Sequence, residues 1–129
     1  MKHCAGQIRY LVAIKEILDN GGELRCVTIA RHLGVSRPSV SKMLRCLANS
    51  GYVQDDFCNK VELTPEGAAV IDEIFSSFND VYIFFHKFLK LPGDEAHRQA
   101  IQFITGFPQD TCQRLKGIVR RTMHKKSSR

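Results

Sequence analysis

Apolar side chains recur along this 129-residue chain mostly three and four positions apart, the period of helices with one covered face. Ile29, Ala30 and Leu33 give one such face to a short segment that Gly34 can end, because glycine tolerates the left-handed conformation of a helix stop. Val35 is a single apolar plug. Ser36 suits an N-cap, and Pro38 is tolerated in a first helical turn, where backbone N–H groups lack partners in any case. Val40, Met43, Leu44 and Leu47 then fall at i, i+3, i+4 and i+7 and predict a second helix with a buried stripe.

Beyond Ser50-Gly51 the period changes. Tyr52–Asp56 and Lys60–Leu63 read as two strands around Phe57-Cys58-Asn59, with Val61 and Leu63 alternating with Lys60 and Glu62. Thr64-Pro65-Glu66 opens another helix with a hydroxyl cap, an early proline and an acid at the positive end of the dipole. In that long helix Ala68, Ile71, Ile74, Phe75, Phe78, Val81, Tyr82 and Phe85 keep the helical spacing. From Val81 onward the chain is apolar nearly all round, and Phe84, Phe85, Phe88 and Leu89 point several ways. Such a helix must be covered on all sides. Ile101, Phe103 and Ile104 on one later helix and Leu115, Ile118 and Val119 on another cover part, and a symmetric second copy is expected to cover the rest. The expected architecture is mostly α with a small β-hairpin. A winged helix-turn-helix at 1–65 is followed at 66–129 by a helical dimerisation domain with a basic tail.

Charge points to the partner. Between Leu24 and Gln54 there is no Asp or Glu, yet Arg25, Arg31, Arg37, Lys42 and Arg45 are present. A helical hairpin so charged suits a polyphosphate. On the face opposite the buried stripe, Ser36, Arg37, Pro38, Ser39 and Lys42 are the candidates for the major groove, with Arg45 and, on the wing, Lys60 for phosphates. Asn59 stands beside Lys60, whereas Asp55 and Asp56 would repel phosphate. The net charge of +6 conceals an acidic body between this segment and the acid-free tail from Gln113 to Arg129. That tail is expected to be a solvated, frayed terminus rather than a DNA-contacting arm.

Tyr10–Ile14, Ile29–Leu33, Ser36–Met43 and Leu63–Gly67 together resemble the diphtheria-toxin-repressor and manganese-regulator family of metal-dependent bacterial repressors. The resemblance runs from about Tyr10 to Leu115. It includes the order long helix, short helix opening Gly93-Asp94-Glu95, further helix. It implies a dimeric repressor that binds palindromic double-stranded DNA through its winged helix, and it places the family's DNA contacts on Ser36, Pro38, Ser39 and Lys42. It also implies a switch by Mn²⁺ or Fe²⁺, and there the chain departs from the family. The first-helix ligand positions hold Arg9 and Val12, the long-helix histidine position holds Asn79 beside Asp80, and the remaining positions fall near Ile101, Ile104 and Thr105. A cation, apolar groups and a hydroxyl cannot stand in for carboxylates and imidazoles around such ions. No metal and no other cofactor is therefore expected. Asp80, His86 and His97 are the candidates for a rebuilt site, and one possibility for a metal-free lock is an Arg9–Asp80 pair.

The five cysteines contain no Cys-x-x-Cys pair. Cys26, Cys46 and Cys112 fit helix faces, and Cys58, at the wing tip, is the one expected to be exposed enough to react. Met1-Lys2-His3-Cys4 does not read as a signal peptide, and Val81–Leu89 falls short of the roughly 20 residues that span a bilayer, so a cytoplasmic chain with reduced thiols and no membrane partner is expected. No nucleophile elbow, phosphate-binding glycine loop or His-Glu-x-x-His is present, so no enzyme is expected. The alternative to a DNA-binding regulator is a winged helix that has lost DNA and joins another protein through its aromatic helix. The acid-free segment argues against it.

Overall fold

The computed structural model describes residues 3–127, with side chains as far as His124. Six α-helices follow one another: α1 (Ala5–Asp19), α2 (Cys26–Leu33), α3 (Arg37–Asn49), α4 (Pro65–Ile83), α5 (Gly93–Gly106) and α6 (Gln109–Ser127). A π-helical turn, Phe84–Phe88, continues α4. Among the described residues, contacts separate residues 6–75 from residues 76–127 with 3–5, and the division falls inside α4.

The first unit is built around α1. Ile8, Tyr10, Leu11, Val12, Ala13, Ile14 and Ile17 are all buried, so this helix is covered on most of its circumference. Leu24, Ile29, Val40, Leu44, Leu47, Val53, Val61, Ile71 and Ile74 complete the core. Polar ties hold its rim: Lys15 Nζ lies 3.4 Å from both Asp19 and Asp72, and His32 Nε2 lies 3.0 Å from Glu16.

The expected hairpin is smaller than the alternation suggested. Among the described residues the wing has a single antiparallel bridge, Val53 with Leu63, and Gln54 N–H donates to the Glu62 carbonyl. The reason lies in the second segment. Val61 N–H donates not to the facing segment but to the carbonyl of Leu24, ahead of α2 (2.8 Å). The Lys60–Leu63 segment thus divides its backbone between two neighbours and forms no extended ladder with either.

In the second unit Phe78, Val81, Ala96, Ala100, Ile104, Cys112 and Val119 are buried. Arg120 from α6 reaches Asp80 Oδ2 on α4 (3.0 Å) and Ser76 Oγ (3.2 Å), and Lys116 Nζ reaches Ser77 Oγ (3.3 Å). The fully surrounded helix end expected from the sequence takes another form. The π-turn fans its aromatics, so that Phe84 meets Phe85 and Phe88 while Phe85 meets Phe103 edge-on, and Phe103 stacks on Phe107. Phe84, Phe85 and Phe88 are half-buried by this, whereas Leu89, Phe107 and Ile118 stand about half exposed. Lys125, Lys126 and Arg129 of the basic tail have side chains outside the described residues.

Candidate nucleic-acid interface

The turn between α2 and α3 is fixed by local chemistry at both ends. Gly34 takes φ 69°, and its N–H closes on the Ala30 carbonyl as the left-handed stop of α2. Arg9, on α1, donates from Nη2 to the carbonyl of Leu33 (3.2 Å), supplying one of the acceptor-seeking partners that a helix C-terminus lacks. At the start of α2, Arg25 N–H donates to Thr28 Oγ1 (2.9 Å), and the Thr28 hydroxyl in turn donates to the Glu23 carbonyl (2.7 Å).

Ser36 caps α3, its Oγ accepting from Ser39 N–H (3.2 Å) and lying 2.8 Å from Ser39 Oγ. One of the two hydroxyl protons is spent between these serines. The other is left over from this pair. Val40, Leu44 and Leu47 turn inward, while Ser36, Arg37, Pro38, Ser39, Lys42 and Arg45 are exposed, so the structure brings the sequence candidates of α3 onto one outward face. Lys60 is exposed on the wing and lies 3.9 Å from Glu62 Oε1.

Ion pairing sharpens the charge pattern. Arg25 is neutralised by Glu23 at 3.0 Å. Arg31, Arg37, Lys42 and Arg45 are exposed and have no ion-pair partner among the described residues, which leaves four uncompensated cations on the helical hairpin. Arg31, on α2, was not among the candidate contacts. Its presence in the acid-free segment was the available signal. Around the wing, Gln54, Asp56, Asn59, Lys60 and Glu62 line a shallow hollow of mixed charge, so α3 and not the wing carries the positive field.

The positions that the resemblance assigns to metal ligands carry side chains engaged or buried within their own units. Arg9 is engaged with Leu33, Val12 and Ile104 are buried apolar side chains, and Thr105 Oγ1 lies 2.9 Å from the Ile101 carbonyl. The candidates for a rebuilt site are each occupied in another way. Asp80 binds Arg120, His86 Nδ1 lies 2.9 Å from the Leu91 carbonyl with its ring against Tyr82, and His97 sits edge-on to Phe78. Arg9 and Asp80, considered as a pair from the sequence, each have a partner within their own unit. No group of three or more His, Cys, Asp or Glu residues that could hold a metal comes together among the described residues.

The helix-turn-helix with its outward basic helix, reduced wing and following helices defines the fold of the winged-helix regulators. Residues 16–56 match the IclR helix-turn-helix domain. Over 64 residues the chain is 42% identical to the transcriptional regulator MntR of Salmonella typhimurium and 39% identical to that of Escherichia coli O157:H7. Those stretches are half of this chain but 41% of the relatives, so the chain spans less than half of the length of the curated proteins it matches. Solved structures extend the likeness in fold. The metal-dependent transcriptional regulator MtsR superposes with a TM-score of 0.75 at 22% identity, covering 88% of this chain and 53% of that one. T. acidophilum IdeR gives 0.69 at 21%, covering 89% and 54%. The hypothetical protein SSo2273 from Sulfolobus solfataricus gives 0.60 at 20%, covering 91% and 89%. The resemblance read from the sequence is thus the one that the comparisons find, with the strongest identity confined to one half of the chain.

Proposed function

We propose that the chain is a DNA-binding transcription regulator, acting as a dimeric repressor whose DNA affinity does not depend on the metal switch of its relatives. The observation that carries the reading is the exposed face of α3, where Arg37, Lys42 and Arg45 stand without ion-pair partners among the described residues, beside the capped Ser36–Ser39 turn. Arg37 and Lys42, with Ser36, Pro38 and Ser39, meet the major groove. Arg31, Arg45 and Lys60 hold phosphates. A helix whose N-terminal end bears small hydroxyls, a proline and cations fits the way such helices contact base edges. Binding of this kind weakens steeply with salt, because each neutralised phosphate releases counterions. Lys60→Ala is expected to weaken all duplexes alike and lower the salt slope by about one.

Dimerisation rests on the second unit. Leu89, Phe107 and Ile118 leave about half of their surface open, next in sequence to aromatics that cover one another only in part. A second copy removes this surface from water, and a two-fold pair of recognition helices suits a palindromic operator. Phe85→Glu or Phe88→Glu is expected to cost several kcal/mol of association, since a charge would be buried or the interface left open. Sedimentation showing a stable, folded wild-type monomer at micromolar concentration overturns the dimer.

Metal independence rests on the residues at the family's ligand positions. Arg9 stands at a chain position that the resemblance assigns to a ligand, and its guanidinium is a permanent cation that already donates to the Leu33 carbonyl. Chelators are expected to leave DNA affinity unchanged, and added Mn²⁺, Fe²⁺ or Zn²⁺ to raise it by less than about tenfold, or about 1.4 kcal/mol. A stoichiometric transition metal coupled to DNA affinity overturns this and points to Asp80, His86 or His97.

A further inference from the structure

The first turn of α2 brings a cysteine thiol against the backbone of the wing tip, beside a second cysteine. Cys26 is the first residue of α2 and is partly buried, while Cys58 is exposed in the loop after Phe57. The thiol of Cys26 points at the carbonyl oxygen of Phe57, 3.9 Å away, and that carbonyl belongs to the peptide joining Phe57 to Cys58. A planar trans peptide sets the next Cα about 2.8 Å from such an oxygen. The Cys26 sulfur therefore lies within about 7 Å of the Cys58 Cα. In a closed disulfide that separation is about 4 Å, from the standard bond lengths.

The loop is built to give the difference. Its one antiparallel bridge lies behind it at Val53 and Leu63, and within it Cys58 N–H rests on Asp56 Oδ1 at 3.4 Å. No ladder of backbone bonds has to break for Cys58 to swing toward α2. Of the remaining thiols, Cys4 is exposed ahead of α1. Cys112 is buried in the second unit, where burial pushes its thiol up from the ordinary range, and Cys46 accepts a contact from Gln7 Nε2 at 3.6 Å on α3.

We infer that Cys26 and Cys58 form a peroxide-oxidisable dithiol site that closes into a disulfide fastening the wing tip to the first residue of the helix-turn-helix. The exposed Cys58 sulfur attacks one oxygen of hydrogen peroxide and becomes a sulfenic acid, and the other oxygen leaves as water. The Cys26 sulfur then attacks the sulfenic sulfur, the S–S bond forms and the hydroxyl leaves as a second water. Two thiols lose two electrons and two protons, and one peroxide becomes two waters. Its effect on DNA rests on the reading above, because the tether draws Asn59 and Lys60 toward α2 and away from phosphate.

The test uses the full reduced chain, treated with hydrogen peroxide near stoichiometry, alkylated and mapped without reduction. The expected product is an intramolecular Cys26–Cys58 peptide, with an intact mass lower by two hydrogens and unchanged by protein dilution. In Cys26→Ser a sulfenic acid should persist on Cys58 and be trapped by dimedone. In Cys58→Ser, at an exposed loop position that leaves the fold intact, Cys26 should stay a thiol. A different linkage, or wild-type Cys58 passing to sulfinic acid while Cys26 remains free, overturns the inference. Binding to a mixed-sequence duplex is read in parallel, and oxidation should weaken it and lower the salt slope by about one. If the reduced chain binds no DNA, the proposed function fails, while the peptide map still decides the disulfide.

Discussion

Replacing Arg37 and Lys42 together with alanine is expected to reduce affinity for a selected operator duplex by about 30-fold or more. Each side chain is exposed on the outward face of α3, so neither change removes core contacts. A good base-edge contact contributes about 1–3 kcal/mol of discrimination, and 1.4 kcal/mol is tenfold in Kd. Two such losses exceed what any single phosphate contact supplies. The duplex is obtained by in vitro selection from a random pool, and affinity is followed by fluorescence anisotropy across a salt series. The double variant should lose preference for the selected sequence over a mixed one, whereas Lys60→Ala should keep it. Unchanged affinity with unchanged salt slope means that α3 is not the helix that faces DNA.

Gly67→Ala is expected to unfold the first unit at least in part, with a loss of about 3 kcal/mol, at the upper end of what overpacking costs. Gly67 lies in the first turn of α4, where its N–H donates to Thr64 Oγ1 at 2.9 Å. The carbonyl of Tyr52 lies directly over its α-carbon and is held there by Thr64 N–H at 3.1 Å, so an added methyl group would run into Tyr52 backbone atoms. Backbone cannot swing aside as a flexible side chain does. Ordinarily glycine to alanine within a helix gains roughly 0.5–1 kcal/mol, and here the sign reverses. Gly106→Ala, at the end of α5 with open space around it, serves as the control and should be neutral or mildly stabilising. Thermal denaturation followed by circular dichroism should show a midpoint lower by about 10 °C for Gly67→Ala alone.

What the sequence disclosed about this fold depended on how far each signal had to reach. The turn between α2 and α3 was legible because Gly34, Ser36 and Pro38 act within a few residues of themselves, and a cap or a left-handed stop needs no distant partner. The outward face of α3 followed from the same helical period that buries Val40, Leu44 and Leu47. The wing was read as longer than it is because alternation reports which side of a strand is covered but not which neighbour takes its N–H groups. Leu24, some forty residues earlier, takes that of Val61. Arg9 was visible as a misplaced cation, yet its bond to the Leu33 carbonyl joins helices that the sequence does not set side by side. Cys46 illustrates the same gap. It was assigned to a covered helix face, but the sequence could not fix how far that face is covered, and Cys46 is exposed, as is Cys4.

The π-turn at Phe84–Phe88 gives this end of the chain an unusual tolerance of length. Such a turn accommodates one residue more than an α-helix does, and it closes here with Leu89 N–H on the Phe84 carbonyl and Lys90 at a positive φ of 64°. Each α-helical residue turns the chain by about 100°. Deleting a single residue from the segment would let the turn close as ordinary α-helix with the neighbouring side chains in nearly the same phase, because the wider turn takes up the extra residue. In lineages that gained or lost one codon here, the aromatic surface would keep its direction while one of its members changed. The turn is thus a place where partner choice could change through the make-up of the surface alone.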